Sequence, residues 1–141
     1  MKPLRSHVAQ HALLLSLVAT SVASRADGFV SDSKRLGNSR MDIVMTESAR
    51  GARTSVIDIT IKSVGSSVGS SFFIACSLRT LARQRGGFRH IVKLEEQPGR
   101  NQMLVGFLDT ADEAPERIDP RFAGQRAIDV EQFAPICEQM K

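Results

Sequence analysis

The spacing of apolar residues changes period twice between Thr54 and Leu108, and each change marks an element. From Thr54 to Lys62, Ile57, Ile59 and Ile61 alternate with Asp58, Thr60 and Lys62. This is the two-residue period of a half-buried strand with β-branched residues inward. From Ser70 to Gly87 the period lengthens, and Ile74, Ala75, Leu78, Leu81 and Ala82 fall on one face at about 100° per residue, as in a core-facing helix. Ser70 or Ser71 supplies an N-cap, Gly86 and Gly87 supply left-handed residues to end the helix, and Arg79, Arg83 and Arg85 suit the negative end of its dipole. Phe88 to Glu96 and Asn101 to Asp109 return to strand patterning around Gln97-Pro98-Gly99-Arg100, whose proline and glycine fit a type II turn. That turn pairs Leu94 with Met103, Val92 with Val105 and His90 with Phe107, and puts all six on the face toward the helix. The opposite face, with Ile91, Leu104 and Leu108, is too apolar to stay wet and calls for a tail or a partner over it.

The remaining patterns are shorter. Met41 to Thr46 reads as a strand and Glu47 to Arg53 as the turn after it, while Val64 to Ser71 is a Gly/Ser connector into the helix. Thr110 to Arg126 is acidic, is broken by Pro115, Pro120 and Gly124, and reads as a surface excursion. Asp129 with Gln132 resembles a capping box before a C-terminal helical segment over Val130 to Met140, whose start Pro135 shifts toward Ala134. The sum is an α+β domain: a small three- or four-stranded sheet in the order (β)βαββ, one main helix on one face, and the C-terminal segment. The right-handed crossover rule makes the Thr54 and Phe88 strands parallel if they share a sheet.

The first 24 residues read as a signal peptide. Lys2, Arg5 and His7 precede the uncharged run Ala12 to Val22, and Val22-Ala23-Ser24 offers small residues for cleavage. Eleven apolar residues fall short of the about 20 that a membrane-crossing helix needs. Cleavage leaves residues 25–40 as a flexible leader and 41–141 as one domain. Losing Lys2 and Arg5 turns the whole chain's 19 basic against 15 acidic residues into 17 against 15, a net +2. With that balance, no Trp and no Tyr, the basic stripe and aromatic platforms of a nucleic-acid binder are missing.

Candidate chemistry is sparse. The Gly/Ser connector invites a phosphate-loop reading, but Ser70 follows Gly69 where a P-loop places lysine. His90 is the one histidine of the mature chain, and with two cysteines it offers too few ligands for a structural zinc site. The acids Asp109, Asp112, Glu113, Glu116 and Asp119 have no EF-hand spacing. Cys76 lies about 160° from the helix's apolar stripe, beside Phe72, Arg79 and Arg83. A bond to Cys137 would draw the C-terminal segment over that outer side, with Phe133 and Ile136 against Phe72 or Phe73. A bond between chains and two reduced thiols stay open as alternatives. Arg79, Arg83, Arg85 and Arg89 form a possible anion patch.

The succession of an alternating strand, the helix-to-strand run SLRTLARQRGGFRHIVKLEE, a hairpin and an IDVEQF-like segment resembles small bacterial exported envelope proteins and lipoproteins, over about Thr54 to Phe133. The lipid-attachment cysteine of many such proteins is missing here. The resemblance implies an envelope location and a fold, and carries over no active site. The expectation is an exported, periplasmic or secreted, non-enzymatic module that binds a protein or envelope component, with no catalytic, cofactor or metal residues, no nucleic-acid partner and no transmembrane segment after cleavage. A small hydrolase using His90 with Glu95, or a disulfide-linked homodimer, are the alternatives.

Overall fold

The computed structural model describes residues 28–140, so the signal-peptide reading of residues 1–24 lies outside the described residues. The chain forms strands β1 (Val30–Asp32), β2 (Asp42–Arg50) and β3 (Thr54–Ser63), helix α1 (Ser67–Gln84), strands β4 (His90–Glu95), β5 (Gln102–Leu108) and β6 (Ile128–Asp129), and helix α2 (Ala134–Gln139). Short 3₁₀ turns occupy Pro115–Arg117, Pro120–Phe122 and Val130–Phe133. The strands make one curled six-stranded sheet in the order β1-β2-β3-β5-β4-β6, antiparallel throughout.

This corrects the expected three- or four-stranded sheet in two places where the sequence pattern was polar. Residues 25–40 are not leader throughout: Phe29 is buried and Val30–Asp32 pairs with Val44, Met45 and Thr46 as the edge strand. Glu47 to Arg53 is not a turn, because β2 continues to Arg50 through a bulge between Glu47 and Ala49. The C-terminal side adds β6, paired with His90 and Ile91. Strands β3 and β4 each pair antiparallel with β5 and so run parallel to one another, as the helical crossover between them leads one to expect.

Helix α1 starts earlier than expected, since Ser66, and not Ser70 or Ser71, is its N-cap, accepting from the Gly69 amide at 3.0 Å. Most of the Gly/Ser connector is therefore helix. Its end is as the glycines suggest: Gly86 and Gly87 take φ of 136° and 78°, and the Gly87 and Phe88 amides turn back to the Ala82 carbonyl. Leu78, Leu81 and Ala82 are buried against the concave sheet face, where Ile43, Met45, Ile57, Ile91, Met103, Val105 and Phe107 complete the main core.

The β4–β5 hairpin is shifted by one residue from the expected register: His90 faces Leu108, Ile91 faces Phe107 and Leu94 faces Leu104. Glu96 and Asn101 both have positive φ, 57° and 59°, so the connection is wider than a four-residue type II turn. Because side chains alternate, the slip changes which face each β4 residue takes. Ile91 points to the helix, whereas Val92 and Leu94 join Leu104, Leu108 and Val56 on the convex face. That face is covered from within the chain, by Phe122 and Ile118 of the acidic excursion and Ala127 just after it. Phe122 has no exposed surface, and it lies directly over Gly106.

A side chain at position 106 would collide with this cover, since a Cβ there stands 2.6 Å from the Phe122 ring and 2.9 Å from Val92 Cγ1. Gly106→Ala is therefore expected to cost about 1–3 kcal/mol by overpacking. Urea unfolding that left the midpoint unchanged would contradict this packing.

Candidate functional site

Helix α1 is pinned to the sheet at its C-terminal end by Arg85, whose side chain is 6% exposed. Its Nη1 donates to Ser55 Oγ at 2.6 Å, to the Thr54 carbonyl at 2.9 Å and to Glu47 Oε1 at 3.3 Å, and its Nη2 donates to the Gly51 carbonyl at 2.6 Å. The guanidinium also lies 4.9 Å from the centre of the Phe107 ring. Glu47, 2% exposed, accepts besides from Arg50 at 2.7 and 2.9 Å, from Ser55 Oγ at 2.8 Å and from the Phe29 amide at 3.4 Å. Burial alone raises the Glu47 pKa, but these donors outweigh it and hold the carboxyl at about 2. On the far side of the same hairpin, Arg53 donates to the Phe107 carbonyl at 2.8 Å and to Glu113. The β2–β3 turn is thus clamped from both faces.

The outer side of α1 is covered by the C-terminal segment. Cys76 and Cys137 stand at disulfide distance within one chain, with Cα atoms 5.5 Å apart and a sequence separation of 61. Arg79, buried despite its charge, donates to Glu131 at 3.2 Å and lies 3.6 Å from Glu138. Arg83 reaches the same Glu131, and Arg89 pairs with Asp129 at 2.9 Å. The four arginines singled out as an anion patch are therefore not assembled as one. Each is engaged by a carboxylate, and Arg85 faces the interior while the other three fasten the C-terminal segment. Their partners Glu47, Glu131 and Asp129 were missed in the sequence, although Glu131 and Asp129 sit on the IDVEQF run.

Between α1, β4 and this segment lies an apolar groove of about 250 Å³. Ile74, Ala75 and Leu78 of the helix face Ile91 of β4 and Val130 and Phe133 of the C-terminal segment across it. A second hollow of about 240 Å³, bounded by Ile59, Ile61 and Met103, shares Ile74 and Glu95 with the first. Beside the groove, β6 pairs only with His90 and Ile91, so that among the described residues the outer edge of β4 from Val92 to Glu95 has no strand neighbour. Lys93 and Glu95, joined at 2.6 Å, form the polar rim. The stripe on α1 was legible, but the groove was not, because its other walls come from the shifted register and the C-terminal crossing.

His90 stands at the start of β4, half-buried, next to Leu108 and Asp129 in the two registers. Its side chain belongs to the convex face, not to the inner face expected from the type II register. Glu95, five positions on, belongs to the concave face, so the two are not brought together as the hydrolase alternative requires. Among the described residues no cluster of three or more His, Cys, Asp or Glu has metal-binding geometry, and no helix is long and apolar enough to cross a membrane. In comparisons with protein-family models, curated proteins and solved structures, the chain matches none.

Two tests follow from these anchors. Glu47 has a folded pKa of about 2 against an ordinary 4.5, so its contribution is fully present above about pH 4.5 and is lost as pH falls toward 2. It amounts to something of order 3 kcal/mol. Glu47→Gln is expected to lose that much at pH 7 and progressively less toward pH 3, as read from urea midpoints; a difference independent of pH would refute the assignment. Cys137→Ser is expected to lower stability by about 4 kcal/mol under non-reducing conditions, with no change under reducing ones.

Proposed function

We propose that the protein is an exported, non-enzymatic module of the cell envelope that binds an apolar ligand or chain segment in the groove beside Ile74. The observation that carries this reading is the groove itself: three apolar residues of α1 and three from β4 and the C-terminal segment converge on one hollow next to a strand edge that has no strand neighbour among the described residues. The Cys76–Cys137 pair supports an oxidising compartment, where such bonds persist. The N-terminal signal pattern and the resemblance to exported envelope proteins point the same way. Apolar walls with only Lys93, Glu95 and Ser71 as polar lining favour binding by shape and burial over recognition of a charged ligand.

The test uses a solvatochromic apolar probe, a dansyl-labelled medium-chain fatty acid. Saturable binding with one site per chain is expected, reduced at least about tenfold by Ala75→Phe, which fills the groove, and by Ile74→Asn, which makes it polar. Both variants should keep a cooperative thermal transition, which excludes misfolding as the cause. Probe binding indifferent to both substitutions would remove the groove as the site.

A further inference from the structure

Among the described residues five large apolar side chains are exposed, and four of them gather at one end of the molecule. Leu36 is in the β1–β2 loop, Ile61 near the end of β3, Val64 in the link to α1 and Val68 in the first turn of that helix. Their exposures are 52%, 52%, 45% and 63%. These segments adjoin one another: Asp42 pairs with Ser63, Ser63 Oγ donates to the Arg40 carbonyl at 2.8 Å, and a Cβ on Gly69 would lie 3.5 Å from Met41 Cε. The β4–β5 turn reaches the same end, where the Ile59 amide donates to the Asn101 carbonyl at 2.8 Å.

Charge is distributed unevenly between the two ends. At the opposite end Arg50, Arg53, Arg85 and Arg89 are all paired with carboxylates. At the apolar end Lys34 and Arg35 are paired with Asp42 and Asp32, but Arg40, Lys62 and Arg100 are exposed with no carboxylate within 4.0 Å among the described residues. Glu96 is the one acid of the β4–β5 turn beside them. Exposed aliphatic side chains in the same segments as cations that have no carboxylate partner among the described residues match a surface with an apolar interior and anionic headgroups.

We infer that this end of the molecule docks on the surface of an anionic phospholipid bilayer. Leu36, Ile61, Val64 and Val68 enter the headgroup boundary, and Arg40, Lys62 and Arg100 meet the phosphates. Ile61 also lines the second hollow, which shares Ile74 and Glu95 with the groove, so the groove lies beside the docking end. The inference rests on the exported-module reading only for where such a surface is met, and does not require the groove to hold a ligand.

The test is co-sedimentation with vesicles of phosphatidylcholine containing about a quarter phosphatidylglycerol, against vesicles of phosphatidylcholine alone. Wild type and variants are recovered from the same expression, so that residues 1–27 are the same in all. Binding is expected to the anionic vesicles only. It should fall at least about tenfold both in Arg40→Glu/Lys62→Glu and in Val64→Ser/Val68→Ser, while Ala75→Phe binds as wild type does. All the docking substitutions are at exposed positions, and unchanged thermal transitions verify the fold. Equal binding to both vesicle types, no binding, or indifference to either pair of substitutions would overturn the inference. Self-association that the serine variants abolish, without vesicle binding, would overturn it in favour of a second copy of the chain. Failure of the groove as a probe site would instead appear with vesicle docking intact.

Discussion

The position of α1 in the concavity of the sheet depends on one buried ion pair. Arg85 follows the last turn of the helix and enters a site made by the carbonyls of Gly51, Ala52 and Thr54, the Ser55 hydroxyl and the Glu47 carboxylate. Neither charge is tolerable there alone, because burying an unpaired ion is far costlier than burying a hydrogen-bonded pair. The pair therefore selects a geometry more than it adds net stability. The helix cannot slide along the sheet without stripping Arg85 from its carbonyls, and β2 cannot shift against β3 without moving Glu47. Phe107, packed beneath the guanidinium and beside Phe88, extends the constraint to β5 and to the start of β4.

The C-terminal segment is held differently. A six-residue helix has no stability of its own in water, so α2 stays in place through what binds it to α1. The Cys76–Cys137 bond and the Arg79–Glu131 contact provide that attachment, and Phe133 and Val130 consequently form one wall of the groove. The groove is thus a seam between a rigid body, fixed by Arg85, and a stapled strap. A second hollow that shares Ile74 and Glu95 with the groove carries the apolar lining on to Ile61, while the other apolar face of the sheet is covered by Phe122.

What the sequence revealed follows the strength of local signals. The Ile57, Ile59 and Ile61 alternation, the α1 stripe and the Gly86–Gly87 ending all reflect interactions within a few residues, and all are present. The position of Cys76 off the apolar stripe suggested a bond to Cys137 but left a bond between chains and two reduced thiols open, and it is the 5.5 Å Cα separation that brings the two cysteines together. Elements fixed by distant partners were not legible. β1 is three residues long and polar but for Val30, and only pairing with β2 makes it a strand. β2 continues through Glu47 and Arg50 because those charges have partners in Arg85 and in each other. The one-residue slip of the hairpin is not visible locally, because Pro98 and Gly99 suit a tight turn whereas Glu96 and Asn101 take the positive φ. Both faces of β4 and β5 being apolar, the pattern alone could not choose the register. The four arginines looked like a patch because their carboxylates are distant in sequence, that of Glu131 lying 52 positions from Arg79.

That the groove depends on the stapled C-terminal segment is tested most directly by comparing apolar-probe affinity in the oxidised and reduced protein, with hydrogen exchange of α1 followed in parallel. The expected result is weaker probe binding after reduction while the α1 amides near Leu81 stay protected, since Arg85 still holds the helix. Equal affinity in both redox states would contradict a groove wall that the disulfide maintains.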